Sequence, residues 1–465
     1  MKNLESRENC CIFVVEKGNV LTMKQIAILI IMMLVSLCGF AGENEPKSIE
    51  LSDNERQLVD SNNQFALNLF RKARGEENCI MSPLSITFAL GMMNNGAAGQ
   101  TQQEINEVLG FGDAGIDAIN QFCRKMLTEA PTLDETTAAE IANTVFVNSG
   151  KDYYLQQGFI DKANAFYDAE PQALNFYDKQ NAIDIINAWA NDHTHGMIPE
   201  LFGEETPFNT DAVSYLLNAL YFKGAWTHPF DKECTQEEVF AGGQTVQMMH
   251  QCKYFQYKEN ELCQIIKLPY GNGAYRMIVV LPREGKSIDD VLSKINTTDI
   301  GFSPYSNTYN IDLKLPRIQT GTGLPLVNVM KELGMTRAFD DVTAEFPYFG
   351  NRGVFISNIF QKAAIDLDEV GTEAAAVTVI EDVDNIGGYR FTFHANRPFF
   401  YIISEQSTGA IFFIGQFTGP DMASPIVSPS RNTEEKAPIY NLAGQRLGKL
   451  QRGINIVGGR KLLVK

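Results

Sequence analysis

Apolar positions recur at helical spacing early in the chain and at strand spacing later. Ser52 to Glu55 reads SDNE, a capping box, and the helix it opens carries Leu58, Phe65, Leu69 and Phe70 on one face. Thr101 to Glu104 has the same form and predicts a second helix start in TQQEINEVL, while Ser85 to Met93 between them is spaced as a helix. Strand-like runs follow at 142–147 (ANTVFV), 215–222 (YLLNALYF), 276–282 (RMIVVLP), 391–404 (FTFHANRPFFYIIS) and 410–417 (AIFFIGQF). Helices gather early and strands late, without regular βαβ alternation or a repeat of solenoid period. The pattern is α+β with mostly antiparallel sheets.

The chain has 465 residues, 44% hydrophobic and 20% charged, enough for a substantial core. Its net charge of -17 argues against nucleic acid, heparin-like polyanions or an anionic membrane as partner. Met23 to Ala41 reads as a secretory signal: a lysine, an apolar stretch, then Gly39 and Ala41 before acidic residues. Met23 is thus the better start, and 1–41 is an N-terminal extension plus signal. Cleavage after Ala41 competes with lipid attachment at Cys38, for which Leu37 is a bulky neighbour. The expected location is secreted, cell-surface or periplasmic. From Asp421 to Ala437 the composition turns to Pro, Ser, Asn and Glu, a linker. The remainder, two short apolar strands with glycine turns and basic residues, resembles the C-terminal tails of secreted Bacteroidetes proteins. A main domain over 50–420 and a tail over 421–465 result.

Catalytic chemistry finds little support. There is no HExxH, GxSxG or phosphate-binding glycine loop among these residues. His193 and His195 lie two apart and read as a surface pair, and no CxxC spacing marks zinc. The cysteines outside the first 41 residues, Cys79, Cys123, Cys234, Cys252 and Cys263, are odd in number and scattered, which reads as free thiols. No enzyme, cofactor or metal is expected.

The informative stretch runs from Ala364 to Phe400. Gly371 offers a hinge, and the residues after it alternate. Thr372, Ala374, Ala376, Thr378 and Ile380 share one face, all uncharged. Glu373, Ala375, Val377, Val379 and Glu381 share the other. A loop patterned like a buried strand fits a segment that sometimes becomes one; an edge strand or an alanine-rich helix end fits it equally.

At this point the chain resembles the serpin family. GTEAAAVT (371–378) is similar to the family hinge, NCIMSPLSITFALGMMNNGAAGQTQQEI (78–105) to its Asn-x-x-x-Ser-Pro-x-Ser segment, NALYFKGAWTHPF (218–230) to the central strand and following Trp, and RPFFYIISEQSTGAIFFIGQFTGP (397–420) to its C-terminal signature. The resemblance implies three β-sheets, eight or nine helices and an exposed reactive-centre loop. It implies a monomer that traps a serine or cysteine protease covalently: the loop is cut, an acyl-enzyme forms, and the hinge inserts into the sheet. It assigns the hinge to Gly371, Thr372, Glu373, Ala374, Ala375, Ala376, Val377 and Thr378. Ser82, Ser85 and Asn218 match the shutter, with Gln361 where the family commonly has His. Arg317 and Glu369 match a salt bridge at the top of the sheet near Trp226. Family spacing sets the reactive bond at Asn385–Ile386, with Asp384–Asn385 the rival. No Lys or Arg lies between Gly371 and Tyr389, so a trypsin-like target is not expected. A non-inhibitory serpin-fold binding protein is the alternative.

Overall fold

The computed structural model describes residues 47–203, 206–301, 306–351, 354–372 and 390–420, and the backbone of four short strands between 439 and 464. The signal segment, Met23 and Cys38 lie outside the described residues.

The chain opens with α1 (Asp53–Ala73), whose N-cap Ser52 forms the capping box with Glu55 that the sequence predicts. After the short β1 (Cys79–Met81) comes α2 (Pro83–Asn94). Ser82 caps α2 and Pro83 sits at its first turn, a position where the missing N–H costs nothing. All its residues are buried, so α2 is a helix of the interior rather than of the surface. The next helix, α3, spans Gly99–Leu109 and starts before the predicted box at Thr101. Its cap comes from far along the chain: Gln100 N–H donates to the Glu345 carboxylate at 2.8 Å, while Thr101 Oγ1 accepts from Glu345 N–H at 3.0 Å. A distant acid at a helix N-terminus satisfies the same orphan donors that a local box would. Helix α4 (Ile116–Glu129), β2 (Thr137–Asn148), α5 (Gln157–Tyr167), β3 (Gln172–Leu174), α6 (Lys179–His193) and β4 (Ser214–Ala225) complete the first half.

The second half is mostly strand: β5 (Gln236–Val239), β6 (Thr245–Glu259), β7 (Cys263–Tyr270) and β8 (Tyr275–Pro282), then after α7 (Ile288–Leu292) and α8 (Thr297–Ile300), β9 (Thr308–Pro316) and β10 (Ile318–Pro325). Helix α9 (Val327–Leu333) precedes β11 (Asn358–Leu367), β12 (Gly371–Thr372), β13 (Arg390–His394), β14 (Phe399–Glu405) and β15 (Ile411–Phe417). The predicted run 391–404 divides into β13, paired with β9, and β14, paired with β8 and β15, with Pro398 just before β14, where its missing N–H costs no ladder bond. Nine α-helices thus stand among the described residues, as expected.

Two large sheets carry the domain. One has the order β10-β11-β12-β4-β2-β3. The other runs β1-β15-β14-β8-β7-β6-β9-β13 with β5 beside β6. The long β6 joins two layers within it: residues up to Gln256 pair with β9, and from Gln256 onward with β7. The tail strands Ile439–Asn441, Arg446–Leu447, Gly453–Val457 and Arg460–Val464 form a further antiparallel sheet, four strands where the sequence predicted two. The main core fills the space between the two large sheets around α2, with Phe88, Leu220, Phe222, Tyr270, Val279 and Phe413 among its buried residues. A second cluster, including Phe146, Ile186, Phe202, Phe208, Tyr215, Leu217 and Phe360, lies between α6 and the lower half of the six-stranded sheet. Leu216 and Leu217 of β4 belong to opposite clusters, so that half of the strand is buried on both faces, which explains its unbroken apolar run. None of the five cysteines among the described residues forms a disulfide; Cys79, Cys123 and Cys263 are buried, Cys234 and Cys252 exposed.

Candidate functional site

The six-stranded sheet is closed at one end and parted at the other. β11 and β4 are parallel and pair from Asn358↔Tyr215 to Lys362↔Ala219. Their mutual pairing stops there. At the far end β12 stands between them, antiparallel to both: Thr372 faces Leu367 on β11 and Gly224 on β4, and Gly371 faces Ala225. The offset between β11 and β4 is 143 residues both at the paired end (Gln361 with Asn218) and across β12 (Leu367 with Gly224). The two strands therefore hold one register through the parted stretch, with room for a single strand between them.

The entry of β12 is tightly built. Asp368 turns the chain: its carboxylate accepts from the N–H of Val370 at 2.8 Å and of Gly371 at 3.2 Å, and its own N–H donates to Gly371 O. Gly371 has φ +154°, and a Cβ there would lie 2.1 Å from Gly224 O and 2.7 Å from Ala225 Cα. Only glycine fits so close an approach. Thr372 is 1% exposed and its hydroxyl bonds the Tyr270 hydroxyl at 2.8 Å. The first two residues of the predicted hinge are thus already inside the sheet, with Thr372 on the buried face that strand alternation assigns it. Glu373, Ala374, Ala375, Ala376, Val377, Thr378, and the reactive-bond residues Asp384, Asn385 and Ile386 lie outside the described residues.

Above β12 the predicted salt bridge is present. Arg317 donates to Glu369 Oε1 through Nε at 2.9 Å and Nη2 at 2.6 Å, and the Thr235 hydroxyl donates to the same oxygen at 2.6 Å. Glu369 is 1% exposed and Arg317 44%. Burial pushes the Glu369 carboxyl up, but the bonds from Arg317 and Thr235 outweigh it and hold the group below its usual value. Trp226 closes the site. Its ring stacks on Tyr270 at 4.4 Å, its Nε1 donates to Asp368 O at 3.0 Å, and its backbone N–H donates to Val370 O at 2.8 Å. Trp226 therefore holds the turn leading into β12 by two hydrogen bonds and touches Tyr270, which bonds Thr372.

The closed end is locked by a buried amide chain. Gln361 accepts from Ser82 N–H at 3.0 Å and donates to both Ser82 O and Asn218 Oδ1 at 2.9 Å. Asn218 Nδ2 donates to Ser85 O at 3.1 Å and to Asn143 Oδ1 at 2.6 Å. One network thus ties β11, β4 and β2 to the N-terminus of α2, all of it buried. Gln suffices where a His would stand because it both donates and accepts. Sequence reasoning named Ser82, Ser85, Asn218, Gln361, Trp226, Arg317 and Glu369, and the structure gathers them at the two ends of one sheet. It missed Asn143, Thr235, Asp368 and Tyr270. Strand alternation would have turned Asn143 inward with Val145, and an Asn among buried apolar residues marks a partner. Nothing local marks the other three. His193 and His195 are surface residues, as expected, each with its own partner: His193 bonds Trp189 O, and His195 meets Glu140 at 3.0 Å.

A family model described as Serpin (serine protease inhibitor) matches residues 60–420. The chain belongs to the serpin family. Among its relatives, Iripin-2 of Ixodes ricinus is 31% identical over 387 residues, 78% of this chain and 94% of the relative. Human Serpin B3 is 29% identical over 391 residues, with 78% and 99% covered. Two solved structures are similar at TM-score 0.71: the thermophilic serpin tengpin in its native state, 26% identical with 80% and 96% covered, and human thyroxine-binding globulin complexed with thyroxine, 25% identical with 78% and 98% covered. Membership of a protease-inhibitor family follows; the second neighbour carries a different activity in its name.

Proposed function

We propose that this serpin inhibits serine or cysteine proteases by inserting its cleaved loop between β11 and β4. The single observation that carries this reading is the parted, register-matched pair of strands with the hinge already entering it. A strand continuing from Thr372 in the same register would set Ala374 between Ile365 and Phe222, Ala376 between Ala363 and Leu220, and Thr378 between Gln361 and Asn218. Ala363, Ile365, Leu220 and Phe222 are buried, and the residues delivered against them are small and uncharged. The first four, Glu373 to Ala376, need no β11–β4 pair to break; from Val377 on, the ladder ending at Lys362↔Ala219 must open. The Gln361–Asn218 bond stands where that opening begins, which is a reason for a barrier.

In the proposed reaction a protease serine or cysteine attacks the loop carbonyl at Asn385–Ile386, or at Asp384–Asn385, and the new amine end departs on β13. The acyl-enzyme remains on the hinge side. Insertion then carries it along the sheet, a strand addition of which serpin loop insertion is a known example. A dozen new backbone bonds at about 0.5–1.5 kcal/mol net each give on the order of 10 kcal/mol to distort the tethered protease before water releases it. A basic residue is absent from 372–389, so the target is not trypsin-like. The chain acts as a monomer, without cofactor, and performs no turnover of its own. Export through the Met23–Ala41 signal would bring it to extracellular or periplasmic proteases, with Cys38 as the rival lipid anchor; the resemblance of its tail supports a bacterial source.

The likeness to thyroxine-binding globulin favours one other reading, a serpin-fold binding protein. Incubation with a panel of serine and cysteine proteases separates them. An SDS-stable complex, with the cut mapped between Glu381 and Gly388, supports inhibition; cleavage with free, active protease recovered throughout the panel supports the binding protein.

A further inference from the structure

One face of the nine-stranded sheet gathers four metal-ligating side chains from three strands. On β6, His250 and Cys252 are two residues apart and so share a face. Cys252 stands directly opposite Asp312 on β9, and His250 opposite Lys314. On the other side of β9, His394 of β13 is also paired with Lys314, which puts it on that same face. The donor atoms converge: His250 Nε2 lies 2.8 Å from Asp312 Oδ1, Cys252 Sγ lies 3.8 Å from His250 Nε2 and 3.9 Å from Asp312 Oδ1, and His394 Nε2 lies 3.5 Å from Asp312 Oδ1. His394 Nε2 is buried and makes no hydrogen bond. A tetrahedral ion at bond lengths of about 2.0–2.3 Å holds its donors roughly 3.3–3.7 Å apart. The donor atoms of His250, Cys252 and Asp312 lie within 4.8 Å of one another and need shifts of up to about half an ångström to reach that geometry; His394, 3.5 Å from Asp312 Oδ1, must move closer to His250 and Cys252 to complete it. Lys314, the cation nearest by register, is turned to Glu238 at 2.5 Å and does not fill the space.

We propose that His250, Cys252, Asp312 and His394 bind a divalent transition metal of the zinc class and that the ion ties β13 to the sheet. Two imidazoles, a thiolate and a carboxylate are the donor set of that class rather than of calcium or magnesium. Binding releases the Cys252 thiol proton to solvent, so affinity rises with pH. The position gives the ion a mechanical role. Among the described residues β13 is the last strand of its sheet and pairs with β9 alone, over Arg390 to His394. It is also the strand into which residues 373–389 lead. A bond from His394 to an ion held by β6 and β9 fastens the far end of the loop segment, and this holds whether or not the chain traps a protease.

The test uses the full chain with its thiols reduced. Cobalt(II) alone is titrated in and the visible spectrum recorded, with hydrogen exchange of residues 390–394 measured with and without zinc. The expected results are the intense absorption of tetrahedral cobalt with a thiolate charge-transfer band, loss of that band in Cys252→Ser, and affinity lowered by roughly tenfold to a hundredfold or more in His394→Asn and His250→Asn, at least what outer-shell partners cost. Zinc should slow exchange in β13, and His195→Asn should change nothing. A spectrum showing only solvated cobalt overturns the site. Unchanged affinity in His394→Asn, or exchange in β13 indifferent to zinc, overturns the tie.

Discussion

Replacing Gly371 by Ala perturbs the point where the hinge enters the sheet. β12 is held by the pairs Gly371↔Ala225, Thr372↔Gly224 and Thr372↔Leu367 and by Trp226 N–H on Val370 O at 2.8 Å. At 0.5–1.5 kcal/mol net per bond, these hold it by about 2–6 kcal/mol. Against them, the new Cβ would sit 2.1 Å from Gly224 O at φ +154°. Overpacking of this kind costs about 1–3 kcal/mol, and the backbone conformation, for a residue other than glycine, about 1–3 kcal/mol more. The two sums are alike, so Gly371→Ala should free β12 a large part of the time. The assay is hydrogen exchange of the Trp226 amide, with Trp226 emission followed in a Trp189→Phe background, since the chain has only two tryptophans. A loss of about 2–4 kcal/mol speeds exchange roughly 30- to 700-fold, with a shift in emission as the indole leaves Asp368 O. Unchanged exchange and emission would refute the reasoning that the close approach of Gly371 and Gly224 positions the hinge.

Three further predictions follow from the same sheet. Gln361→Ala leaves the Ser82 backbone groups and Asn218 Oδ1 without their buried partner and should cost about 1–3 kcal/mol, read as a lower midpoint in urea, whereas Gln361→His should recover most of it. Because the Glu369 carboxyl is held below its usual value, its contribution is full above the unfolded value near 4.5 and is lost as pH falls below that through the folded value; Glu369→Gln should lower stability at pH 7 by about 2 kcal/mol and flatten the loss seen in the parent on acidification below 4.5. Ala374→Arg would bring a charge against Ile365 and Phe222 on insertion, so the loop should still be cut at the same bond while the SDS-stable complex gives way to released, active protease.

What the sequence made legible was local or periodic. SDNE announced the start of α1, and the alternation after Gly371 put Thr372 on a buriable face, where the structure has it 1% exposed. The family motifs located Ser82, Asn218 and Gln361 without saying how they touch. What was not legible depends on contacts between residues far apart in the chain. The start of α3 is set by Glu345, hundreds of residues away, because any well-placed carboxylate satisfies the helix end. The parting of β11 from β4 leaves no mark on either strand, since β11 keeps its alternation and β4 its apolar run to Phe222. Tyr270 looks like any core aromatic until it is seen stacked on Trp226 and bonded to Thr372. The metal ligands on β6, β9 and β13 were invisible for the same reason: only the register Cys252↔Asp312 and the edge pairing of β13 bring them together.

Inhibition by insertion requires that the sheet accept one more strand at a gain in stability. Cutting the chain once between residues 381 and 388 and comparing urea and thermal unfolding of cut and intact protein tests it most directly. The cut form should be more stable by on the order of 10 kcal/mol, with added β signal in circular dichroism. Equal unfolding midpoints and an unchanged spectrum would contradict it.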